Sequence, residues 1–186
     1  MRRRTDIIFG MKKSVYITGI AGSGKTTLTK LMNSLGYEAY DIEDEKYDLF
    51  SRIRVDTGEP FLDYDKHDVN KLANSLKIFN LEKLRGLLGN QIKDTAFYFG
   101  VANDNEKAIP LFNKSILLRV KRDELEKRLK AREGTTDFAN SLEVRQKILG
   151  WKDEYENRMI DLGMIVIDVD SNPEETVEKI LRIAQS

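Results

Sequence analysis

The eight residues Gly19-Ile20-Ala21-Gly22-Ser23-Gly24-Lys25-Thr26 constrain this chain more than any other stretch. They fit G-x-x-x-x-G-K-[ST], and their flanks fit as well. Val15, Tyr16 and Ile17 form a short apolar run ahead of them, the pattern of a buried strand. Behind them Leu28, Leu31, Met32 and Leu35 fall at i, i+3, i+4 and i+7, one helical face, and Gly36 stands where a helix stops. Glycines let successive backbone N–H groups curl around phosphate oxygens, and the helix N-terminus adds partial positive charge. The pattern assigns Lys25 to the β- and γ-phosphates and the Thr26 hydroxyl to Mg²⁺. Gly19, Ala21, Gly22, Ser23, Gly24, Lys25, Thr26 and the adjacent Thr27 are therefore the expected contacts to ATP.

The bulk of the chain narrows what such a loop serves. A length of 186 residues suits one domain, here taken as 1–186, with one full core. Lys plus Arg and Asp plus Glu number 31 each, so no global basic field draws in nucleic acid or a membrane surface. The absence of cysteine excludes disulfides and thiolate metal sites and makes the cytosol, hence a cytoplasmic protein, the default expectation. A single histidine, His67, argues against a histidine metal site; before a helix in Asp65-Lys66-His67-Asp68, it reads as a capping residue rather than a catalyst. No apolar run approaches a membrane span. Ile7, Ile8 and Phe9 are too short a core for a signal segment. Met11-Lys12-Lys13 resembles a second start, which makes residues 1–10 either a dispensable extension or a short extra arm.

Strand and helix signals alternate along the chain. Tyr37–Ile42 reads as a second strand, ending in Asp41-Ile42-Glu43-Asp44. A long polar section, 45–92, follows. In it Asp56-Thr57-Gly58-Glu59-Pro60 is a turn, Val69, Leu72, Ala73 and Leu76 mark one helix, and Leu81, Leu84 and Leu88 another that ends at Gly89-Asn90. Thr95–Phe99 and Ser115–Val120 read as strands and Asp123–Arg132 as a helix. Asn140 with Glu143 resembles a capping box for a helix carrying Val144, Ile148, Trp151, Tyr155 and Met159, in which Trp151 and Tyr155 read as core. Met164–Val169 is the fifth strand, and Asn172-Pro173 opens the last helix. This alternation implies a parallel sheet with helices on both faces and a ligand cleft at the carboxyl ends of the strands.

The residues then discriminate among nucleotide proteins. A switch GTPase needs Asp-x-x-Gly, which is absent, and Asn113-Lys114-Ser115-Ile116 lacks the acid of a guanine-reading Asn-Lys-x-Asp. An AAA or helicase-type ATPase needs an acid closing a middle strand, whereas Thr95–Phe99 ends in Gly100 and Ile116–Val120 has none. Asp168 closes the last strand, the wrong place, and reads as structural. Asp41, Glu43 and Asp44 instead end the second strand, beside the expected cleft. A carboxylate there can hold Mg²⁺ through water or accept a hydroxyl proton. Arg128 and Arg132 are i, i+4 and share a helix face. Planar guanidinium groups there can stack on a base or clamp phosphate oxygens, although Glu124 also stands i, i+4 to Arg128 as an ion-pair partner. Arg52 and Arg54 flank Ile53 in the 45–92 section, where they either hold an acceptor anion or are solvated.

Residues 12–184, apart from 45–92, resemble the small P-loop kinases of the adenylate kinase, shikimate kinase and gluconate kinase group. The resemblance rests on Gly19–Thr26, on Asp41-x-Glu43 in place of that group's Asp-x-Asp, on Arg128-x-x-x-Arg132 and on Asp170-Ser171-Asn172-Pro173. It implies a five-stranded parallel sheet in the order 2-3-1-4-5, an acceptor-binding insert at about 45–92 and a short lid at about 133–141. It implies that Arg128 stacks on adenine, that Arg132 touches the transferring phosphate, and that Asn172 and Pro173 lie against the adenine edge. Arg145 would return to the cleft from the helix after the lid, and Gly100 and Asn103 would match an acceptor loop. The expected function is transfer of the γ-phosphoryl group of ATP to a small-molecule acceptor such as a nucleotide, nucleoside or hydroxylated metabolite. Lys25, Asp41, Glu43 and Arg132 would be catalytic, and Thr26 and Asp41 would hold Mg²⁺. The alternatives are an ATPase or switch acting on a protein or RNA, and a polynucleotide 5′-hydroxyl kinase, which the balanced charge does not favour. No motif sets the oligomeric state.

Overall fold

The computed structural model describes residues 12–135, 137–169 and 172–186; the N-terminal extension read at 1–10 and the pair 170–171 lie outside them. The chain runs β1 (Lys13–Thr18), α1 (Lys25–Ser34), β2 (Glu38–Asp41), β3 (Phe50–Arg54), α2 (Val69–Ala73), β4 (Ser75–Phe79), α3 (Leu81–Gly89), β5 (Thr95–Phe99) and α4 (Asn105–Ala108). It continues through β6 (Lys114–Arg119), α5 (Arg122–Lys130), α6 (Leu142–Asp161), β7 (Ile165–Asp168) and α7 (Pro173–Gln185).

The main sheet has the order β2-β5-β1-β6-β7 and every pairing in it is parallel. Counting its strands alone in chain order gives 2-3-1-4-5, as expected. β5 lies between β1 and β2, and its Ala96, Phe97, Tyr98 and Phe99 are all buried, the near-continuous apolar run of a parallel strand covered on both faces. Alternation divides the core. Val15, Ile17, Phe97 and Phe99 pack toward α1 and α7 through Leu28, Met32, Val177 and Ile180. Tyr16, Tyr98 and Leu117 face Ile42, Leu84, Phe112 and Met159 on the opposite side. Each such side chain contributes roughly 1.5–3 kcal/mol. The Tyr16 hydroxyl, buried among them, donates to Asn105 Oδ1 at 2.7 Å, so burial leaves it satisfied.

Three expectations need correction. Leu76 is not helical: α2 stops at Ala73, and Ser75–Phe79 pairs antiparallel with Phe50–Arg54 as a separate two-stranded sheet. The i, i+4 spacing of Leu72 and Leu76 mimicked a helix, but cross-strand pairing with Ile53 decides the conformation. The cap of α6 is Ser141, whose hydroxyl accepts from Val144 N–H, while the Asn140 amide donates to the Thr135 carbonyl. Likewise Asp68 rather than His67 caps α2, by accepting from Asn70 and Lys71 N–H. His67 Nδ1 instead meets Asn140 Oδ1 at 3.2 Å. A third cluster packs Leu72 and Tyr64 with Ile20, Leu125, Val144 and Ile148, which fixes part of 45–92 over the glycine loop.

Candidate functional site

The site lies at the carboxyl ends of β1 and β2, where a parallel sheet gathers ligands. β1 feeds the glycine loop directly. Gly24 sits at φ 98°, ψ 7° as the residue capping α1, a conformation that costs a side-chain-bearing residue about 1–2 kcal/mol. A Cβ at Gly19 would lie 2.8 Å from the Leu118 carbonyl oxygen, so the loop passes β6 too closely for any side chain. Ser23 Oγ is buried with no hydrogen-bond partner among the described residues. A buried hydroxyl without a partner costs about 1–3 kcal/mol, and at a helix N-terminus a phosphate oxygen is the partner that chemistry supplies.

Lys25 is buried and its ammonium folds back on the loop, donating to the Gly19 carbonyl at 2.6 Å. It also lies 3.7 Å from Glu43 Oε2. The Thr26 hydroxyl donates to Asp41 Oδ2 at 2.9 Å. Asp41 is the last residue of β2, and its other oxygen accepts from Glu43 N–H at 3.2 Å. This closes the turn that swings Glu43 toward Lys25. Asp44 faces away: it accepts from Lys46 N–H and pairs with the Lys46 ammonium at 2.7 Å. Of the three acids read at this turn, two therefore meet the loop and one serves a local cap.

Glu43 is the electrostatic centre. Burial alone would raise its carboxyl, but Lys25, Lys77 and Arg52 together hold it below the ordinary carboxylate value. Lys77 forms a direct ion pair with Glu43. Burial and the neighbouring cations pull the Lys77 ammonium below its usual value, against the opposing pull of Glu43. Sequence reading passed over Lys77 because it assigned this stretch to a helix. The alternation of Leu76 and Ile78 with Ser75 and Lys77 was the available strand signal. Asn103 holds Lys77 in place: its side-chain oxygen accepts from Lys77 N–H at 2.7 Å, and its own N–H donates to the Lys77 carbonyl at 2.7 Å.

On the other side of the loop, a cleft of about 390 Å³ is lined by Gly22, Ser23, Gly24, Thr27, Arg128, Arg132 and Pro173, among others. Arg128 Nε donates to Glu124 at 2.9 Å, and the guanidinium lies 3.5 Å from the Gly22 carbonyl. Arg132 donates to the Phe138 carbonyl at 3.1 Å. Seven of the residues expected from sequence thus share one cleft. Asn172 is engaged in the cap of α7, accepting from Glu174 N–H at 3.0 Å, and Ala21 packs against the apolar cluster beneath the loop. Arg145 does not reach this cleft. It is buried and donates to the Asn140 carbonyl at 2.9 Å, with Glu133 at 3.4 Å. Asp168 is engaged by Arg119 through two hydrogen bonds at 2.6 and 2.9 Å. Tyr155, read as core, packs at the edge of the second cluster and shares a 2.6 Å hydrogen bond with the Thr18 hydroxyl.

No helix among the described residues is long and apolar enough to cross a membrane. A family model described as AAA domain matches residues 15–148. None of the curated proteins matches the chain. Among solved structures, shikimate kinase from Acinetobacter baumannii in complex with shikimate aligns at 17% identity over 95% of this chain and 95% of that one, with TM-score 0.61. Deoxyadenosine kinase from M. mycoides with bound dATP aligns at 17% identity over 94% and 100%, with TM-score 0.52. A gluconokinase from Sinorhizobium meliloti aligns at 14% identity over 94% and 95%, with TM-score 0.51. At these identities the likeness is one of fold.

Proposed function

We propose, from the premise that this chain belongs to the AAA domain family and has the fold of the small P-loop kinases, that it moves the γ-phosphoryl group of ATP to a small-molecule acceptor. One observation carries the reading: Lys25, Glu43 and the Thr26–Asp41 pair converge at the mouth of the glycine loop. Phosphoryl transfer needs little covalent chemistry from the protein, mainly positioning and charge stabilisation. Lys25 exchanges the Gly19 carbonyl and Glu43 for the β- and γ-phosphates. Gly19 to Thr27 line the phosphates with N–H groups and hydroxyls, and the unpartnered Ser23 Oγ fits that role. The Thr26 hydroxyl and the Asp41 carboxylate, adjacent oxygen donors, suit Mg²⁺, which when bound offsets charge on the phosphates. Glu43 orients the acceptor hydroxyl. Arg132 meets the transferring group, and Arg128 with Pro173 bounds the base. Residues 45–92 form the acceptor side and 133–141 a short lid.

The family description supports a second reading, an ATPase or switch acting on a protein or RNA. The sequence argument set AAA-type ATPases aside for lack of an acid closing a middle strand. Family membership removes that exclusion at the level of family, while neither strand closes in an acid: β5 runs out at Phe99 and β6 at Arg119, one residue before the Val120 read as its end. ATP turnover measured with and without a metabolite collection decides between the two. Stimulation by a metabolite is the expected result. Stimulation only by protein or RNA would replace the kinase reading with the second one.

A further inference from the structure

A polar network runs through the apolar wall behind the cleft. Alternation along β1 turns Tyr16 and Thr18 to one face of the sheet, where Tyr155 and Met159 of α6 pack, and both are fully buried. The Thr18 hydroxyl shares a 2.6 Å hydrogen bond with the Tyr155 phenol. Asn105, also fully buried, donates to the Tyr155 oxygen at 3.4 Å and to the Ala102 carbonyl at 2.9 Å, and accepts from the Tyr16 phenol at 2.7 Å. All four polar side chains are thus partnered, and a satisfied buried network is rigid. Burial pushes the Tyr155 phenol well above its ordinary value, against the pull of its bonds to Thr18 and Asn105, so the network keeps its proton at neutral pH. A phenylalanine would fill the same space without the desolvation cost of a buried hydroxyl; what the hydroxyl adds is fixed geometry. Tyr98 is the internal comparison. Its phenol lies in the same cluster but meets Gln91 Oε1 at 3.4 Å, and Gln91 donates to the Lys13 and Lys93 carbonyls where β1 and β5 begin, away from the cleft.

We propose that Tyr155 is a positioning residue, whose hydroxyl ties the root of the glycine loop to residues 100–105 and so sets the spacing between the nucleotide phosphates and the acceptor side. This rests on the kinase reading above and deepens it. On one side of the phenol, Thr18 leads directly into Gly19, whose carbonyl holds the Lys25 ammonium at 2.6 Å. Gly19 passes the Leu118 carbonyl too closely to shift sideways, so a displacement of Thr18 passes straight to the carbonyl that holds Lys25. On the other side, residues 100–105 touch the acceptor side in three places. A Cβ at Gly100 would lie 2.5 Å from Ile42 Cγ1 and 3.5 Å from Glu43 Cγ. Asn103 grips the Lys77 backbone through both its groups, and Asp104 accepts from Phe79 N–H at 3.0 Å on the same strand. Transfer depends on how donor and acceptor are aligned, and a misplacement of about 1 Å costs on the order of 10²-fold. Tyr155 therefore acts through Thr18 and Asn105, with no contact to either substrate required.

Amide hydrogen exchange on the full chain, with and without Mg²⁺ and a non-hydrolysable ATP analogue, tests the link. In wild type the analogue should slow exchange at residues 19–27, where it binds, and also at residues 100–105, by about fivefold or more, the lower range for coupled sites. Tyr155→Phe and Thr18→Val each remove one hydroxyl with little change of shape. Both should keep the protection at 19–27 and lose it at 100–105. The double variant should lose no more than either single one, because both break the same hydrogen bond. Thr18→Ser keeps the hydroxyl and should retain the response, and Tyr98→Phe should match wild type. A hydroxyl with a merely structural role would lower the denaturation temperature of Tyr155→Phe and leave the response at 100–105 in place. That result overturns the proposal, as does protection confined to 19–27 in wild type. No protection at 19–27 in wild type counts instead against nucleotide binding itself, and the proposal falls with it. If Tyr155→Phe does not fold, the contrast between Thr18→Val and Thr18→Ser decides alone.

Discussion

The two sides of the cleft are built by different physics. The nucleotide side is local: nine consecutive positions from Gly19 to Thr27 supply backbone donors, an ammonium and hydroxyls, and their placement follows from a strand end, a few glycines and a helix start. The acceptor side is assembled from a distance. Glu43, Arg52 and Lys77 come from three segments, brought together by the β3–β4 pairing and by Asn103 in the loop after β5. A local site tolerates rearrangement elsewhere and fails at single residues. A site made from distant side chains depends on how its charges balance, so its variants should change stability and pH response as well as rate.

Breaking the nucleotide side should have the largest effect. In Lys25→Ala the loop loses the one side-chain cation it carries, and Glu43 keeps Lys77 as its direct ion pair. ATP turnover should fall to background while circular dichroism stays native. Near-normal turnover would remove Lys25 from the site.

The arginine pair sharpens the comparison within one cleft. Arg132→Ala should lower kcat by on the order of 10³, the lower range for an arginine that stabilises the transferring phosphoryl group. Arg128→Ala should instead raise KM for ATP with kcat nearly unchanged, since a group stacked on the base binds substrate and transition state alike. Steady-state kinetics separates the two, and exchanged phenotypes would mean that α5 presents these residues the other way round. Asp41→Asn should have a smaller effect that still falls on kcat. The asparagine oxygen can accept the Glu43 N–H as Asp41 does, and its amide N–H₂ can donate to the Thr26 hydroxyl oxygen where Asp41 accepted from it, so the turn survives and the charge is lost. Equal activity of this variant would reduce Asp41 to a turn residue.

How much of this was legible in sequence follows the same division. The loop, Asp41, Glu43 and the Arg128–Arg132 face were readable as candidates, because each is a short spacing on one element, whereas the main-sheet order, found as expected, came from the resemblance to the small P-loop kinases. The β3–β4 hairpin was not readable, because Leu72 and Leu76 have helical spacing and only the partner strand overrules it. With the hairpin went Lys77, whose importance comes from a carboxylate 34 residues away in sequence. Ser141 was passed over as a cap because Asn140 with Glu143 imitated the pattern one residue earlier. Arg145 was placed in the cleft by resemblance, whereas the Asn140 carbonyl and the Glu133 carboxylate hold it.

The smallest effect is a test of charge balance on the acceptor side, and its sign is fixed. Burial raises the Glu43 carboxyl, but Lys25, Lys77 and Arg52 outweigh burial and leave it below its ordinary value near 4.5. A carboxyl depressed by folding contributes stability that is fully present above its unfolded value and is lost as pH falls toward its folded one. Glu43→Gln keeps the shape and removes the charge, so it should be less stable than wild type at pH 7 and approach it as pH drops below about 4.5. Urea denaturation of both proteins at neutral and acid pH measures the difference. A gap between the two proteins that does not change with pH would mean that Glu43 serves by shape and hydrogen bonding, and that the acceptor side is as local in its energetics as the glycine loop.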